Sequence, residues 1–283
     1  MRIGNRKLGR QAFPNSYGAR RGGKGRLIMA MMIAGFALLS YCKSATYNPV
    51  TGEKQYLSLT PSQEIAMGLQ AVPQMAAQHG GYHPDQRLQD FLDEVCQKII
   101  DNSQAKQTDW SFECHLLQDA NTVNAFALPG GQMFITYALF KRLETEGQLA
   151  GVMSHEIGHV VARHSAQRMA KAQLTQGIIG AVGVATESAG VAGAAQMIGQ
   201  MVNMKYGRED ELQSDQLGVR FMTSAGYDPR SLMAVMKILA EANGGKKMPE
   251  FFSTHPNPAN RIERIKEAII QEFPEGLPQG LTP

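Results

Sequence analysis

The stretch Thr145–Val161, TEGQLAGVMSHEIGHVV, is the most informative in the chain. Thr145-x-x-Gln148 has the form of a capping box, in which first-turn side chains satisfy free backbone N–H groups. Ala150, Val152, Met153, Ile157, Val160 and Val161 form an apolar stripe, so one face is buried. The pattern predicts a helix from Thr145 to about Met169. On it, His155 and His159 stand one turn apart, roughly 5–6 Å between Cβ atoms. Two imidazoles at that spacing can bind one Zn²⁺. Glu156 projects beside the metal rather than onto it, where it can take the proton of an attacking water. The whole pattern on one capped helix is far more specific than either histidine alone.

A catalytic zinc needs a third protein ligand and an open position. His164 follows His155 by nine residues and so points to about the opposite side of the helix. The longer pattern H-E-x-x-H-x-x-G-x-x-H also fails, because Ala162 and Ser165 occupy its glycine and third-histidine positions. His164 is therefore read as packing or as support for a ligand. The run Tyr206–Asp215, YGREDELQSD, opens another helix. Glu211 and Asp215 share a face on it. Glu211 can ligate zinc while Asp215 holds the free ring nitrogen of a zinc histidine. A solvated acidic helix start, favoured by the helix dipole, fits the same residues, and spacing does not choose between the two.

The chain has 283 residues, 43% hydrophobic and 19% charged, enough for one large domain with appendages. Its formal charge of +3 is misleading, because eight Lys/Arg and no acidic residue fall within residues 1–26. Without them 20 basic residues face 25 acidic ones, a balance of −5. Nothing in that body argues for nucleic acid. The basic head precedes the apolar run Leu27–Leu39, the form of an export signal. That run is short for a transmembrane helix, which needs about 20 residues. Cys42 follows at once and resembles the lipidated cysteine of a bacterial lipoprotein signal. The departure is Tyr41, where that pattern has a small residue. Lipidation, an uncleaved anchor and ordinary cleavage all stay open. Cys96 lies on the inner stripe of a helix and Cys114 on the inner face of a strand. Both are expected to be buried free thiols rather than a bridge.

Residues 43–60 read as a linker or lead-in, and residues 274–283 as a loose tail rich in proline and glycine. Helices are expected at about 61–78, 85–101, 209–225, 230–242 and 257–271, and strands at 110–117, 123–128 and 132–137, with Pro129-Gly130-Gly131 as a turn. The Gly/Ala-rich stretch 176–200 is expected to be a mobile loop or loosely packed helices rather than a membrane hairpin, since Thr186, Glu187 and Ser188 interrupt it. His79, His83 and His115 have no partners in sequence and are read as structural or exposed.

The segments NPVTGEKQ, QEIAMG, NAFALPGGQMFIT, HEIGHVVARHSAQRM, RxxExxxD at 208–215 and STHPNPANRIERI resemble a zinc endopeptidase family. It includes the CAAX prenyl proteases, the HtpX-type membrane proteases and the periplasmic β-barrel-assembly-enhancing protease, and the last branch is the nearest. The likeness spans about 48–270. It implies an α+β, mostly helical gluzincin domain at 61–273, with a small sheet beside the metal helix. It implies one zinc bound by His155, His159 and Glu211, with Asp215 and Arg261 in support and Glu156 as the base. Asn124, Ala125 and Phe126 match the strand that pairs with substrate backbone. His255 corresponds to a family histidine near the metal, either a plug at the fourth position or a stabiliser of the oxyanion. The implied activity is endopeptidase cleavage of unfolded or misassembled envelope proteins by an exported, periplasmic protein held to a membrane at its N-terminus. A zinc-containing chaperone or assembly factor without activity is the competing reading, and the intact Glu156 argues against it. The chain lacks clear transmembrane helices around the motif and a helical-repeat tail, so a prenylated substrate is not expected.

Overall fold

A computed structural model describes residues 23–186, 206–242, 249–255 and 260–283. The basic head before Gly23, the second part of the Gly/Ala-rich stretch and Pro256–Pro258 lie outside the described residues.

Helix α1 (Gly23–Lys43) leads into a hairpin of β1 (Ala45–Tyr47) and β2 (Lys54–Tyr56), paired antiparallel with Thr46 opposite Gln55. Helices α2 (Pro61–Gln78) and α3 (Gln86–Asp101) follow. Thr60 caps α2: its hydroxyl accepts from the Gln63 N–H, while the Gln63 side chain accepts from the Thr60 N–H. The sheet has three strands in the order β3 (Glu113–Leu117), β5 (Gln132–Thr136), β4 (Ala125–Ala127). β3 and β5 run parallel, β4 is antiparallel to β5, and β4 forms an edge. After the short α4 (Tyr137–Phe140) come α5 (Glu146–Val161), α6 (His164–Thr186), α7 (Arg208–Ser224), α8 (Arg230–Ala242), α9 (Phe251–Thr254) and α10 (Arg261–Glu272).

α5 is the axis of the core. Every residue from Gly147 to Val161 is buried, because α3, the β4–β5 face, α7 and α8 all pack on it. The apolar stripe seen in sequence is thus one part of a helix covered on all sides. Two glycines permit close approaches that a side chain would block. A Cβ on Gly158 would lie 2.7 Å from Ser214 Oγ, so α5 and α7 nearly touch there. A Cβ on Gly68 would lie 2.1 Å from the Pro129 carbonyl oxygen, so α2 is clamped onto the Pro129-Gly130-Gly131 turn. Those contacts account for the glycines of QEIAMG and HEIGH.

Four expectations are corrected. The metal helix ends at Val161 rather than near Met169, and α6 starts afresh at His164. Between them Arg163 adopts φ 56°. The break is held from outside: the side-chain amides of Asn48 and Gln55 donate to the carbonyls of Val161 and Ala162 at 2.7 and 2.8 Å. The Arg163 guanidinium binds Glu64 and the Leu59 carbonyl. Residues 43–60, read as a linker or lead-in, thus form a hairpin that caps α5. The tail is also tied down, since Thr282 exchanges backbone hydrogen bonds with Gly226 and Asp228 and the Gly147 N–H donates to the Pro283 carbonyl at 2.9 Å. The apolar run near the N-terminus extends into a helix whose Lys24–Lys43 span, mean hydropathy 1.6, is long and apolar enough to cross a membrane. Finally, Cys96 and Cys114 are bridged, with Cα atoms 6.7 Å apart. α3 packs directly on β3, so two inward-facing cysteines that look independent in sequence meet.

The bridge closes a short loop between α3 and the sheet and restricts the unfolded chain. Replacing Cys96 and Cys114 together by serine is expected to lower unfolding stability by about 2–4 kcal/mol. Denaturant unfolding of the paired variant against the parent checks this, and an unchanged midpoint would contradict it.

Candidate metal centre

α5 delivers His155 and His159 one turn apart, and α7 crosses it at Gly158 and delivers Glu211. The hydroxyl of Ser214 donates to the His155 carbonyl and locks the crossing. The Nε2 atoms of His155 and His159 lie 3.0 Å apart, and Glu211 Oε1 is 3.4 Å from His159 Nε2. His255, where α9 ends, brings Nδ1 to 3.1 Å from Glu211 Oε1 and 3.4 Å from His155 Nε2. One ligand atom from each of these four residues falls within 4.8 Å of the others. Glu156 turns its carboxylate to 3.7 Å from His255 Nε2.

The remaining atoms of the ligands are held as well. Asp215 Oδ1 lies 2.9 Å from His155 Nδ1, and Arg261 grips Asp215 through two bonds of 2.8 Å. Arg261 Nη1 also lies 3.1 Å from Glu211 Oε2. Nδ1 of His159 lies 2.8 Å from Nδ1 of His164, whose Nε2 lies 2.8 Å from the Gln213 side-chain oxygen. His164 reaches the site because the chain breaks at Arg163; on an unbroken helix it would face away. Tyr206 stacks on His159 with ring centroids 3.8 Å apart, and Phe251 stacks on His255 at 4.4 Å.

Burial dominates the electrostatics. Glu156 and His255 are 0% exposed and Arg261 is 1% exposed. Burial pushes the Glu156 carboxyl up and holds the His159 imidazole down. Burial also works to raise Glu211, but the charges of His255 and Arg261 and hydrogen bonds from both helix histidines outweigh it and keep Glu211 well below the usual carboxylate range. Burial and Arg261 oppose charge on His155, yet its bonds to Asp215 and Glu211 raise it to about 9.

A divalent metal ion fits these residues. Both oxygens of Glu156 and Nε2 of His255 are buried without a hydrogen-bond partner. Such orphaned groups are costly unless something else binds them. Imidazole nitrogens and a carboxylate are also a donor set that suits a zinc-type ion.

The residues picked out in sequence divide as follows. His155, Glu156, His159, Glu211, Asp215, His255 and Arg261 converge. Ala125 and Phe126 open the edge strand β4, which packs on α5, and Asn124 immediately precedes it. A narrow crevice lined by Ala127, Leu128, Pro129, His159, Arg163 and Tyr206 runs between the two. Cys42 is an exposed free cysteine at the end of α1, apart from the site. Tyr206 escaped sequence reasoning, whereas His164, read as packing or as support for a ligand, does support His159, though from a side of the helix that the spacing did not predict. The spacing of aromatic Tyr206 from Glu211 carries no signal by itself.

An HExxH helix with a glutamate from a second helix, beside a small sheet, defines a zincin-like metallopeptidase. Residues 86–269 match Peptidase family M48, and the chain belongs to that family. It is 28% identical over 261 residues to the beta-barrel assembly-enhancing protease of Escherichia coli (strain K12), covering 87% of this chain and 52% of that protein. It is 29% identical over 251 residues to the mitochondrial metalloendopeptidase OMA1 of Schizosaccharomyces pombe, covering 85% of this chain and 71% of that protein. The chain thus spans about half the length of the first of these relatives. By family it carries a peptidase domain, and its buried His155, His159, Glu211 and His255 cluster is of the metallopeptidase kind.

Asp215 sets the ring of His155 without touching the metal position. Asp215→Asn is expected to weaken metal binding by about 10–100-fold. Competition with a chromophoric chelator measures this, and parent-like affinity would remove Asp215 from the site.

Proposed function

We propose that the protein is a zinc endopeptidase of the cell envelope that cleaves unfolded or misassembled proteins and rests with its active site shut. The observation that carries this reading is the fully buried His255, seated among His155, His159 and Glu211 with Glu156 beside it.

In this reading His155, His159 and Glu211 hold one zinc. Bound zinc supplies Lewis acidity, which activates water and polarises the scissile carbonyl. Glu156 accepts the proton of the attacking water and passes it to the leaving amine. Its raised affinity for protons, a consequence of burial, suits that shuttle. Asp215 and Arg261 fix His155, and His164 fixes His159. The substrate backbone pairs with the free edge of β4. The Leu128 N–H donates to the Gln132 carbonyl and the Asn124 carbonyl accepts from the Thr136 N–H of the neighbouring strand. Alternation along an antiparallel pair then turns the N–H and C=O groups of Ala125 and Ala127 away from β5, toward an incoming chain. Backbone pairing reads an extended chain with little regard to side chains, which suits unfolded substrates.

His255 acts as a plug at the fourth metal position. Phe251, whose N–H donates to the Val123 carbonyl just before β4, ties the same segment across the start of the substrate strand. One movement of this segment would expose both metal and strand. The disulfide supports an exported, oxidising compartment. The basic head and α1 support attachment to a membrane at the N-terminus. The name of the Escherichia coli relative supports substrates among envelope proteins.

Casein digestion by the full chain tests the reading, alongside zinc analysis. Glu156→Gln is expected to retain zinc and lose activity by roughly 10²–10⁴-fold. Equal digestion by both proteins would remove Glu156 as the base, and absence of zinc would remove the metal. His255→Ala is expected to digest casein faster than the parent. A slower variant would make His255 a stabiliser of the transition state instead.

A further inference from the structure

α1 does not stand alone. It packs along α6, and the end of α1 and the start of α6 meet at the β1–β2 hairpin, so the two helices run antiparallel. Their contact is made of small residues. A Cβ on Gly177 would lie 2.7 Å from the Ala37 Cβ. Ala30 and Ala181 are buried, and Ala34, Ala37, Leu174 and Gly177 are half-buried. Small side chains at a helix contact let backbones approach closely, as in membrane-embedded pairs. The outward faces are apolar: Met32 is 55% exposed, Phe36 75%, Leu39 62% and Ile179 63%. From Gly177 to Thr186 α6 carries no charge. An apolar surface on this scale calls for a cover.

The boundaries of the surface say what covers it. At the C-terminal end of α1, Tyr41 stacks on Tyr56 with centroids 4.7 Å apart, Lys54 lies over the Tyr56 ring, and Tyr47 is 72% exposed. Exposed Lys171, Gln173, Thr175 and Gln176 lie on the neighbouring part of α6. Aromatic residues with lysines are the dress of a membrane interface. At the other end of α1 stand Lys24, Arg26 and the rest of the basic head. Basic residues there hold that end on the cytoplasmic side.

We propose that α1 is an uncleaved anchor and that the distal half of α6, Gly177 to Thr186, lies beside it in the lipid bilayer. The inference rests on reading α1 as a membrane segment and adds a second embedded segment. The ten residues from Gly177 reach about 15 Å into the hydrocarbon, half of its depth. The thirteen residues back to His164 place the metal centre about 20 Å above the interface. Substrates are then protein segments that emerge close to the membrane surface. The helix entering the lipid is also the one whose first residue braces His159.

The chain has a single tryptophan, so tryptophan scanning is direct. In a Trp110→Phe background, Ile179→Trp, Phe36→Trp and Lys171→Trp are each introduced into the full chain. Each protein is reconstituted into phosphatidylcholine vesicles brominated high on the acyl chains. The expected result is several-fold stronger quenching for Phe36→Trp and Ile179→Trp than for Lys171→Trp. Quenching at Phe36→Trp with Ile179→Trp no stronger than Lys171→Trp overturns the inference and leaves the anchor standing. Unquenched, blue-shifted emission at Ile179→Trp overturns it in favour of a second copy covering the face. Absence of quenching at both positions overturns the anchor as well.

Discussion

The close crossing of α5 and α7 at Gly158 is the constraint on which the site depends. Without a side chain at Gly158 the Ser214 hydroxyl can reach the His155 carbonyl, and the two helix axes come close enough to share a ligand set. Glu211 lies one turn before Ser214 and Asp215 just after it. The crossing therefore sets three relations at once: Glu211 to the ε nitrogens, Asp215 to the far side of His155, and Ser214 as the bolt. Burying Glu211 and Asp215 together would be unfavourable unless their charge were met. Arg261, itself buried, meets it by bridging both carboxylates from α10. The glycine of the motif and an arginine some hundred residues later are parts of one electrostatic arrangement.

Much of this was legible in the sequence because local rules are strong where periodicity is strong. The helices at 61–78 and 230–242 were placed to the residue, and the three strands to within three residues. His155, Glu156 and His159 follow from spacing on a capped helix. Glu211 did not follow from spacing, since an acidic helix start reads the same way in solvent; the family resemblance singled it out, and the structure places it among the histidines. What escaped reading was set by contacts distant in sequence. The break at Arg163 has no helix-breaking residue to announce it. It exists because Asn48, Gln55 and Glu64 reach the chain from a hundred residues away. Losing that break meant misplacing His164. The Cys96–Cys114 bridge was underrated for the same reason, because nothing local shows that α3 lies across β3.

The lead-in hairpin explains why the resemblance extends so far ahead of the metal helix. Asn48 does two things: its oxygen accepts from the Val50 and Thr51 N–H groups to shape the hairpin turn, and its amide caps Val161. Gln55 caps Ala162 from the opposite strand. Each such bond contributes only about 1 kcal/mol. Their value is positional. They satisfy the last carbonyls of α5 at a fixed place, so the helix cannot run on, and α6 must leave at the angle that brings His164 back to His159. A short polar hairpin thereby determines the rear support of a metal ligand.

Among the described residues, the opposite end of the site is held with less. His255 is gripped by stacking on Phe251 and by polar contacts to Glu211 and His155, and its segment by bonds from the Tyr206 N–H to the Thr254 carbonyl and from the Phe251 N–H to the Val123 carbonyl. α9 is a single turn of four residues, whereas α5 is enclosed along its length. His155, His159 and Glu211 come from long helices locked by a glycine crossing, a hairpin cap and a buried arginine. His255 alone comes from a short element whose removal would leave those supports intact. In the proposed reading the fold separates what must stay from what can move: the three proposed ligands belong to the buried core, and His255 is carried by the part of the chain that also ties across the start of the edge strand. Local opening draws on segments with few such ties, and here that segment covers metal and strand together.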